Sequence, residues 1–480
     1  MTKMKRLLIL FLAGSGSLIS CTDKFAQLNI DPNRIEKISP GTLLNPIIYS
    51  LASFNTQRSA DFTFSIMQVS LPFPSASGGI HRYYIGETEG NSTWDNYYRW
   101  IANIKEMRAA AVAANDPNYQ AIALTLNAWA YSQLTDCFGD VPMDEASRGE
   151  EGIFAPAFNT QLEIYTKILA DLEAANDLFA PAKPMAYGTD LLYGNNVASW
   201  QRFCNSLQMR LLLRISKRTE LNATARLAAI INNPTKYPVF VQNSDAAILK
   251  ITGVVPNISP YGRAIDFTSN RAAASFFVDN LNTLADPRLP KFATQAKSSN
   301  GATIIGYRGI PSAYTGSDSQ FQYQPSNLNI GLITAPMVSI MMSYAEVEFI
   351  KAEAALKGYT TGDAKAAYDK GVRAAIEQWG AVLPATYLQT SSASAYDGTL
   401  ARIMLQKYYA LFFNDYQQWF EYRRTGLPVL PAGPGLLNGG VMPVRFRYPT
   451  TVQISNSANY QKAVTAMGGD NINNKVWWEK

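Results

Sequence analysis

A pair of adjacent helices in the last third of the chain constrains the fold more than any other part of the sequence. Ser343 and Glu346 have the spacing of a capping box, in which a hydroxyl and an acid three residues later close the first turn of a helix. That helix should end at Gly358, because glycine favours the backbone conformation that terminates a helix. A second helix is expected from Asp363 to Trp379.

Small and aromatic residues stand where these two helices would touch. A tetratricopeptide repeat is a helical hairpin with a period of about 34 residues. It has small, small, aromatic and small residues at four fixed positions. In this chain those positions hold Ala352, Ala364, Tyr368 and Gly371. Small residues let two helices approach closely, and the aromatic ring fills the space left between them. The sequence therefore predicts a mainly α protein, a tetratricopeptide-like helical-hairpin scaffold with long irregular loops and a few short strands.

Apolar residues at three- and four-residue intervals predict several further helices. The expected helices cover about 93–111, 117–135, 160–179, 200–218 and, as one long helix, 400–422. Thr93 and Ser199 are expected to cap two of them, and Asp116 caps a third in front of a proline. We therefore place the helical repeats at about 93–219 and 343–422.

The segments between the helices are rich in Gly, Pro, Asn, Ser and Tyr and should be irregular over about 57–92, 234–335 and 427–475. Loops of this length inside a compact domain usually carry function or minor structure of their own. Short strands are expected at 247–255 and 444–448. No composition break divides the chain, so we expect residues 21–480 to form a single domain whose segments 57–92 and 234–335 face a ligand.

Residues 1–20 have the composition of an export signal. A basic stretch is followed by an apolar run and then by small and polar residues, which is typical of a secretory signal peptide. The apolar run is far shorter than the roughly 20 residues that a membrane-spanning helix needs. The sequence from Leu18 to Cys21 resembles the bacterial lipobox, in which the signal is cut before a cysteine that becomes lipidated. The alternative is an ordinary signal that has a cysteine near its end.

Net charge and histidine content exclude several functional classes. The chain has 42 Lys and Arg against 37 Asp and Glu, and Lys3, Lys5 and Arg6 lie in the signal, so the rest is nearly neutral. No basic surface is then left to bind nucleic acid. His81 is the only histidine, which removes two-histidine metal sites and most catalytic triads. We expect no nucleic-acid partner, no metal and no cofactor.

Acids and cysteines near the second predicted helix allow two kinds of chemistry. The pair of acids that a glycosidase needs could come from Asp136, Asp140, Asp144 and Glu145. The favoured interpretation is a helix end and a Gly-Asp turn, where acids cap or are solvated. Cys137 and Cys204 could form a disulfide in an oxidising compartment, but their apolar surroundings favour two buried thiols. We expect no catalytic residues and a protein that is not an enzyme.

Aromatic residues with polar neighbours form two groups in or beside the irregular segments. The first group contains His81, Arg82, Tyr83, Tyr84, Asn91 and Trp94. The second group contains Tyr307, Arg308, Tyr314, Asp318, Phe321 and Tyr323. Flat rings suit the C–H faces of sugars or peptide side chains, although the same rings can instead pin long loops onto helices. The candidate ligand-binding residues are Arg82, Tyr83, Tyr84, Trp94, Tyr307, Tyr314, Phe321 and Tyr323.

Several short segments carry a resemblance to a known family. They read LNIDPN at 28–33, FGDVP at 138–142, AEVEFIKAEA at 345–354, WFEYRRTG at 419–426, and GGD at 468–470 followed by WW at 477–478. In this order, behind a lipobox, they resemble the SusD/RagB-type nutrient-binding outer-membrane lipoproteins of Bacteroidetes, and the SusD-like subgroup most of all. Val452 departs from the family pattern, because an acid is expected at this place.

The resemblance implies a tetratricopeptide-like scaffold with an irregular ligand-binding face, and a SusC-like TonB-dependent transporter as partner. It implies a lipoprotein in the outer membrane, anchored through Cys21 and facing the cell surface. Such a protein would capture an oligosaccharide or a similar oligomer, sometimes a peptide, and deliver it to the transporter. The alternative is a structural lid or protein-interaction scaffold of the transporter complex, which binds peptide or no ligand itself.

The lipobox generates a direct test. We expect the chain to sediment with membranes and its N-terminal peptide to carry acyl groups on Cys21, as mass spectrometry would show. A Cys21→Ala variant should leave the membrane fraction, whereas a Cys137→Ala variant should stay in it. An unacylated Cys21 in the mature protein would contradict the prediction.

Overall fold

Helix α1 (Pro40–Arg58) opens residues 39–480, the part of the chain that the computed structural model describes. The expected signal peptide and Cys21 lie outside the described residues. A π-helical turn, Ser59–Thr63, and helix α2 (Phe64–Ile66) continue α1 directly. The segment expected to be irregular from residue 57 is therefore helical as far as Ile66. The π turn lengthens one turn of the helix, and every residue of α2 is buried.

Helices dominate the remaining chain, which confirms the predicted mainly α fold. They are α3 (Asn91–Ala113), α4 (Pro117–Phe138), α5 (Gln161–Leu178), α6 (Val197–Arg214), α7 (Ala223–Asn232), α8 (Ile265–Thr268), α9 (Ser275–Thr283), α10 (Leu289–Phe292), α11 (Tyr344–Leu356), α12 (Ala364–Gln378), α13 (Leu400–Ala410), α14 (Gln417–Thr425), α15 (Thr450–Ser455) and α16 (Ser457–Met467). Consecutive helices make the most extensive contacts, notably α3 with α4, α4 with α5, and α11 with α12. The pairs α3–α4 and α11–α12 are helical hairpins that the sequence predicts, whereas α5, which is expected to pair with α6, contacts α4 more extensively.

Short strands connect the irregular segments. They are β1 (Ser70–Pro72), β2 (Val141–Pro142), β3 (Phe158–Asn159), β4 (Ala247–Ile251), β5 (Arg271–Ala273), β6 (Lys297–Ser298), β7 (Tyr323–Gln324) and β8 (Met337–Met342). Within residues 39–480 they pair antiparallel as β1 with β5, β2 with β3, β4 with β8, and β6 with β7. Strand β4 confirms the first predicted strand over residues 247–251 but not over 252–255. The predicted strand at 444–448 is wrong, because this segment bonds to isolated carbonyls of Cys137 and Ile472 and to no strand.

Helix caps follow the sequence only in part. The Asp116 carboxylate accepts hydrogen bonds from the backbone of Asn118 and Tyr119, as predicted. Thr93 lies inside α3 rather than at its start, and its buried hydroxyl lies 2.7 Å from the Tyr416 hydroxyl. Asn196, not Ser199, caps α6. The two predicted caps are wrong because each helix begins further upstream, where a Gly or an Asn precedes the first turn.

The hairpin of α11 and α12 shows the packing expected of a tetratricopeptide repeat. An added Cβ on Gly371 would lie 3.1 Å from the ring of Phe349, so only glycine fits this crossing without displacement. The Tyr368 ring meets Phe349 edge-on at 6.1 Å and is buried. Ser343 caps α11 as predicted, but the side chain of Glu346 binds Arg210 instead of completing the capping box.

The long helix predicted at 400–422 is two helices, α13 and α14. The chain between them turns at Phe413 and Asp415, both of which have positive φ. The buried Asp415 carboxylate holds this turn, since it accepts hydrogen bonds from Tyr416 N and Gln417 Nε2. Helices α15 and α16 likewise lie in the segment 427–475, which the sequence predicts to be irregular.

Buried ion pairs join the helices at the centre of the core. The Arg424 guanidinium in α14 binds both carboxylate oxygens of Glu353 in α11 at 2.6 Å, and one oxygen of Glu421 at 2.7 Å. Lys407 in α13 binds the same oxygen of Glu421 at 2.8 Å. These side chains are almost completely buried. Arg424 and Lys407 thus neutralise the two carboxylates away from water, and Lys357 contacts Glu353 as well, at 2.6 Å.

A second ionic group ties the C-terminus to α4. Arg214 of α6 binds the Asp136 carboxylate at 2.9 Å, and the indole of Trp478 donates to the same carboxylate at 2.7 Å. Arg423 pairs with Glu479 at 2.7 Å. The terminal Trp-Trp segment is thus part of the core.

Both described cysteines, Cys137 and Cys204, are free and buried, so they form no disulfide with each other. No helix within residues 39–480 is long and apolar enough to cross a membrane.

The Arg424 pairs generate a stability prediction. An Arg424→Ala substitution leaves two buried carboxylates without their main partner and should lower the free energy of unfolding by about 3–5 kcal/mol. Arg373→Ala removes an exposed i,i+4 pair with Glu377 and should cost about 0.5 kcal/mol or less. Urea denaturation followed by circular dichroism measures both values, and equal losses in the two variants would contradict the prediction.

Acid should weaken the same group of ion pairs. Burial opposes ionisation of Glu353, but the charge and hydrogen bonds of Arg424 outweigh it and lower the pKa to about 2. The stabilisation from this carboxylate is then complete above its ordinary pKa of 4.5 and disappears as the pH falls towards 2. The difference in unfolding free energy between the wild type and Glu353→Gln should therefore shrink over this range. If the difference in unfolding free energy stays constant from pH 5 to about pH 2.5, the prediction is wrong.

Candidate functional site

Arg82 ties several loops together on one side of the molecule. It ends the 3-10 turn Ile80–Arg82 and is only 8% exposed. Its guanidinium donates to the carbonyls of Ala76 and Tyr314 at 2.8 Å and of Gly435 at 3.0 Å. All three guanidinium nitrogens are thereby engaged by protein oxygens. We predict Arg82 as a ligand contact from the sequence, but in the structure it positions the surrounding loops.

Glycine at position 435 is required by this arrangement. An added Cβ on Gly435 would collide with the Arg82 guanidinium and with the carbonyl of Ala313. The lack of a side chain at this position therefore lets the backbone approach Arg82 closely.

Arg82 also brings the two predicted aromatic groups next to each other. Tyr314 is buried, and its hydroxyl forms a hydrogen bond with the Asp318 carboxylate. The same carboxylate accepts a hydrogen bond from Ser75 N at 3.2 Å. The loop 314–318 is thus fastened to the loop that precedes the 3-10 turn, although some 240 residues separate them in sequence.

Half-buried rings form a surface beside this junction, which we call the aromatic surface: Phe73, Phe321 and Tyr323. The Phe321 ring centroid lies 6.2 Å from that of Phe73 and 5.9 Å from that of Tyr323. The Tyr314 ring packs edge-on against Phe321, with the two ring centroids 4.8 Å apart. Phe73 is missing from the sequence prediction, although a phenylalanine between two prolines in an irregular segment is a signal that could have identified it.

Arg308 adds a charged group to the aromatic surface. Its guanidinium lies 4.0 Å from the centre of the Tyr323 ring, and the Tyr323 hydroxyl donates to Gly309 O at 2.8 Å. Tyr323 is therefore held at both its face and its hydroxyl. Arg308 itself is exposed and can donate further hydrogen bonds. Tyr307 is half-buried and packs against the hydrophobic core.

The residues that follow the 3-10 turn line a pocket of about 510 Å³, which we call the Tyr84 pocket. Tyr84 is 59% exposed at its edge, whereas Tyr83 is buried in its wall. Burial, and secondarily the neighbouring Tyr422, raises the pKa of Tyr83 to about 12, so its hydroxyl stays neutral. Glu87 and Arg447 form an ion pair at 3.4 Å on the rim. The pocket offers an exposed ring and neutral as well as charged hydrogen-bonding groups.

Trp94 does not join either surface. It is 8% exposed and packs against Tyr98 at 4.8 Å and Phe138 at 5.2 Å. Its remaining surface lines a separate cavity of about 210 Å³ together with Phe154 and Val452. The sequence predicts Trp94 as a ligand-binding residue, but the structure places it on the buried face of α3.

Acids considered for a glycosidase pair have structural partners. Asp136 accepts hydrogen bonds from Tyr165 and Trp478 in addition to its ion pair with Arg214. Asp140 accepts a hydrogen bond from the backbone N–H of Gln161, at the start of α5. Within the described part of the chain, no group of three or more His, Cys, Asp or Glu side chains could hold a metal ion.

Comparison with known families gives one match that spans most of the chain. A family model described as SusD-like, "Starch-binding associating with outer membrane", matches residues 32–449. No curated protein matches the sequence.

Solved structures share the fold over almost the full length. A chitin-binding protein is 25% identical, with a TM-score of 0.79 over 92% of this chain and 100% of that one. A SusD homologue from Bacteroides fragilis is 23% identical, with a TM-score of 0.77 over 92% of this chain and 100% of its own. A chitin-binding SusD homologue from Flavobacterium johnsoniae is 21% identical, with a TM-score of 0.77 over 91% and 97% of the two chains. The helical scaffold described above is the fold of these proteins.

Proposed function

Because the chain belongs to the SusD-like family, we propose that it is a cell-surface lipoprotein that captures an oligosaccharide and delivers it to a TonB-dependent outer-membrane transporter. The family description names starch binding and association with the outer membrane, and similar structures include chitin-binding proteins. The chain binds its ligand without cleaving it and needs no cofactor. Anchoring by a lipid on Cys21 belongs to the same proposal.

The aromatic surface carries this proposal. Phe73, Phe321 and Tyr323 present neighbouring rings whose planes are inclined by 59° and 67°, so they line a curved apolar face. Pyranose rings have apolar C–H faces that pack on aromatic rings, with hydroxyls projecting at their edges. Exposed Arg308 and Gln322 stand beside the rings and can bind those hydroxyls.

Ligand binding by these loops is also consistent with the hydrogen bonds that fix the loops in place. Arg82 and Asp318 fasten the loops beneath the rings, so little conformational freedom is lost when a ligand binds. The Tyr84 pocket is lined by the residues that follow the same 3-10 turn and would receive another part of the oligomer. A bound oligomer would then contact both loop segments that the sequence identifies as ligand-facing.

The rings can be tested by substitution. Calorimetry against starch, chitin and other glycan oligomers and peptides should show binding of at least one oligomer to the wild type. Phe321→Ala combined with Tyr323→Ala should weaken that binding about fivefold or more, since two aromatic contacts contribute about 0.5–1.5 kcal/mol each. Phe154→Ala, which removes an 80% exposed ring from the separate cavity, serves as the control.

Each result bears on one part of the proposal. Absence of binding to every oligomer would overturn it, and release of shorter products would show that the chain is an enzyme. If cells with the double variant take up the glycan normally while the transporter complex stays intact, capture on these rings is excluded. A structural lid that binds no ligand would then explain the protein better.

A further inference from the structure

A pocket at the end of α1 opens between the two loop segments that the sequence predicts to face a ligand. It has a volume of about 240 Å³. One wall is the π turn Ser59–Thr63, which contributes Ala60 and Asp61, and the other is formed by residues 260–271. This turn is the only π helix within residues 39–480. Because such turns occur often at functional sites, we examine what this cavity, the Asp61 pocket, can bind.

Two aromatic rings line the Asp61 pocket. Tyr261 and Phe267 meet edge-on, with their ring centroids 5.7 Å apart. The Tyr261 hydroxyl is buried, so this side chain presents its ring to the pocket and not its hydroxyl. Gln57 of α1 donates to the carbonyl of Pro260 at 3.0 Å and so fixes the loop that carries Tyr261. The rings are therefore held in position by the protein itself.

Charged side chains of both signs surround these rings. The Asp61 carboxylate lies 3.6 Å from the guanidinium of Arg271, which also donates to the carbonyl of Ala60 at 3.1 Å. The Arg263 guanidinium binds both carboxylate oxygens of Asp266, at 2.7 and 3.1 Å. The Asp61 and Asp266 side chains are 59% and 51% exposed, so their oxygens can accept further hydrogen bonds. Two acids and two guanidinium groups leave the pocket without net charge.

Balanced charges that already pair with one another favour a neutral ligand with hydroxyl groups. A hydroxyl can donate to a carboxylate and accept from a guanidinium while the ion pair between them stays intact. A carboxylate or ammonium group of a ligand would meet a like charge as well as an opposite one in the same pocket. The rings of Tyr261 and Phe267 suit the apolar C–H face of a sugar. The size of the pocket suits one sugar unit.

Backbone pairing places the pocket beside the aromatic surface. Arg271 belongs to β5, where it pairs with Pro72 of β1. The next residue, Phe73, donates its backbone N–H to the carbonyl of Asn270 at 2.8 Å. Neighbouring strands lie about 5 Å apart, so a residue of the pocket and a residue of the aromatic surface are neighbours across this pair of strands. Both sites are within reach of one oligomer.

We propose that the Asp61 pocket binds a neutral sugar unit of the same oligomer that packs on the aromatic surface. Hydroxyls of that unit bind Asp61, Asp266 and the two guanidinium groups, and its C–H face packs on Tyr261. This assignment rests on the proposed capture of a glycan. It makes affinity increase with the length of the oligomer, because a short oligomer on the rings leaves the pocket empty.

Calorimetry of the full chain with maltohexaose and chitohexaose tests the assignment. The hexasaccharide that binds the wild type should bind Asp61→Ala and Asp266→Ala each about fivefold more weakly, because each variant loses hydrogen bonds to a charged acceptor. Both acids are exposed, so the variants should keep the wild-type melting temperature. Glu377→Ala is the matched control, since Glu377 is also about half-exposed and lies 3.6 Å from an arginine, but on α12. This control should bind the hexasaccharide as tightly as the wild type.

The outcomes separate this assignment from the proposed capture function. Equal affinity of the wild type and both acid variants would overturn the assignment, whereas capture stands if Phe321→Ala with Tyr323→Ala still weakens binding. Tighter binding of hexagalacturonate than of both neutral hexasaccharides would overturn it as well, because a pocket with balanced charges does not favour an anion. If neither hexasaccharide binds the wild type, the assignment is wrong, and capture then depends on the other glycans and peptides.

Discussion

Pairing of buried charges determines which helices of this protein can meet. Arg424 reaches from α14 to Glu353 in α11, and Arg214 reaches from α6 to Asp136 in α4. A buried charge without its partner destabilises the folded state far more than a missing apolar contact does. Each ion pair therefore favours the packing in which its two helices are in contact. Trp478 joins the second pair through its indole, which incorporates the end of the chain into the same core. The loops of the candidate site depend on this core for their positions.

A helical scaffold of this kind leaves recognition to the segments between its hairpins. Arg82 shows how those segments are made rigid: one guanidinium binds carbonyls from three separate loops, and the aromatic rings stand beside it. Apolar rings on fixed loops suit a ligand with apolar faces and many hydroxyls.

Predictions from the sequence succeeded where the information is local. Asp116 in front of a proline marks the start of α4, and Gly371 and Tyr368 pack as a tetratricopeptide repeat requires. They failed where tertiary contacts override a local pattern. The continuous helical pattern at 400–422 is broken by the Asp415 turn, whose buried carboxylate is held by residues from other helices, such as Gln133. The same limitation applies to Thr93, which has the residue type of a cap but bonds to Tyr416 inside the core.

The sequence by itself determined the mainly α class, the helical hairpins α3–α4 and α11–α12, and the lack of the two histidines that many metal sites need. These follow from periodicity, capping residues and composition, which act over a few residues along the chain. Only the tertiary structure decided that Arg82 is a buried support, that Phe73 joins Phe321 and Tyr323, and that Trp94 faces the core. Those outcomes depend on which distant segments come together. The contacts of a ring or a guanidinium are set by the residues that the tertiary fold brings next to it, and local sequence does not specify those residues.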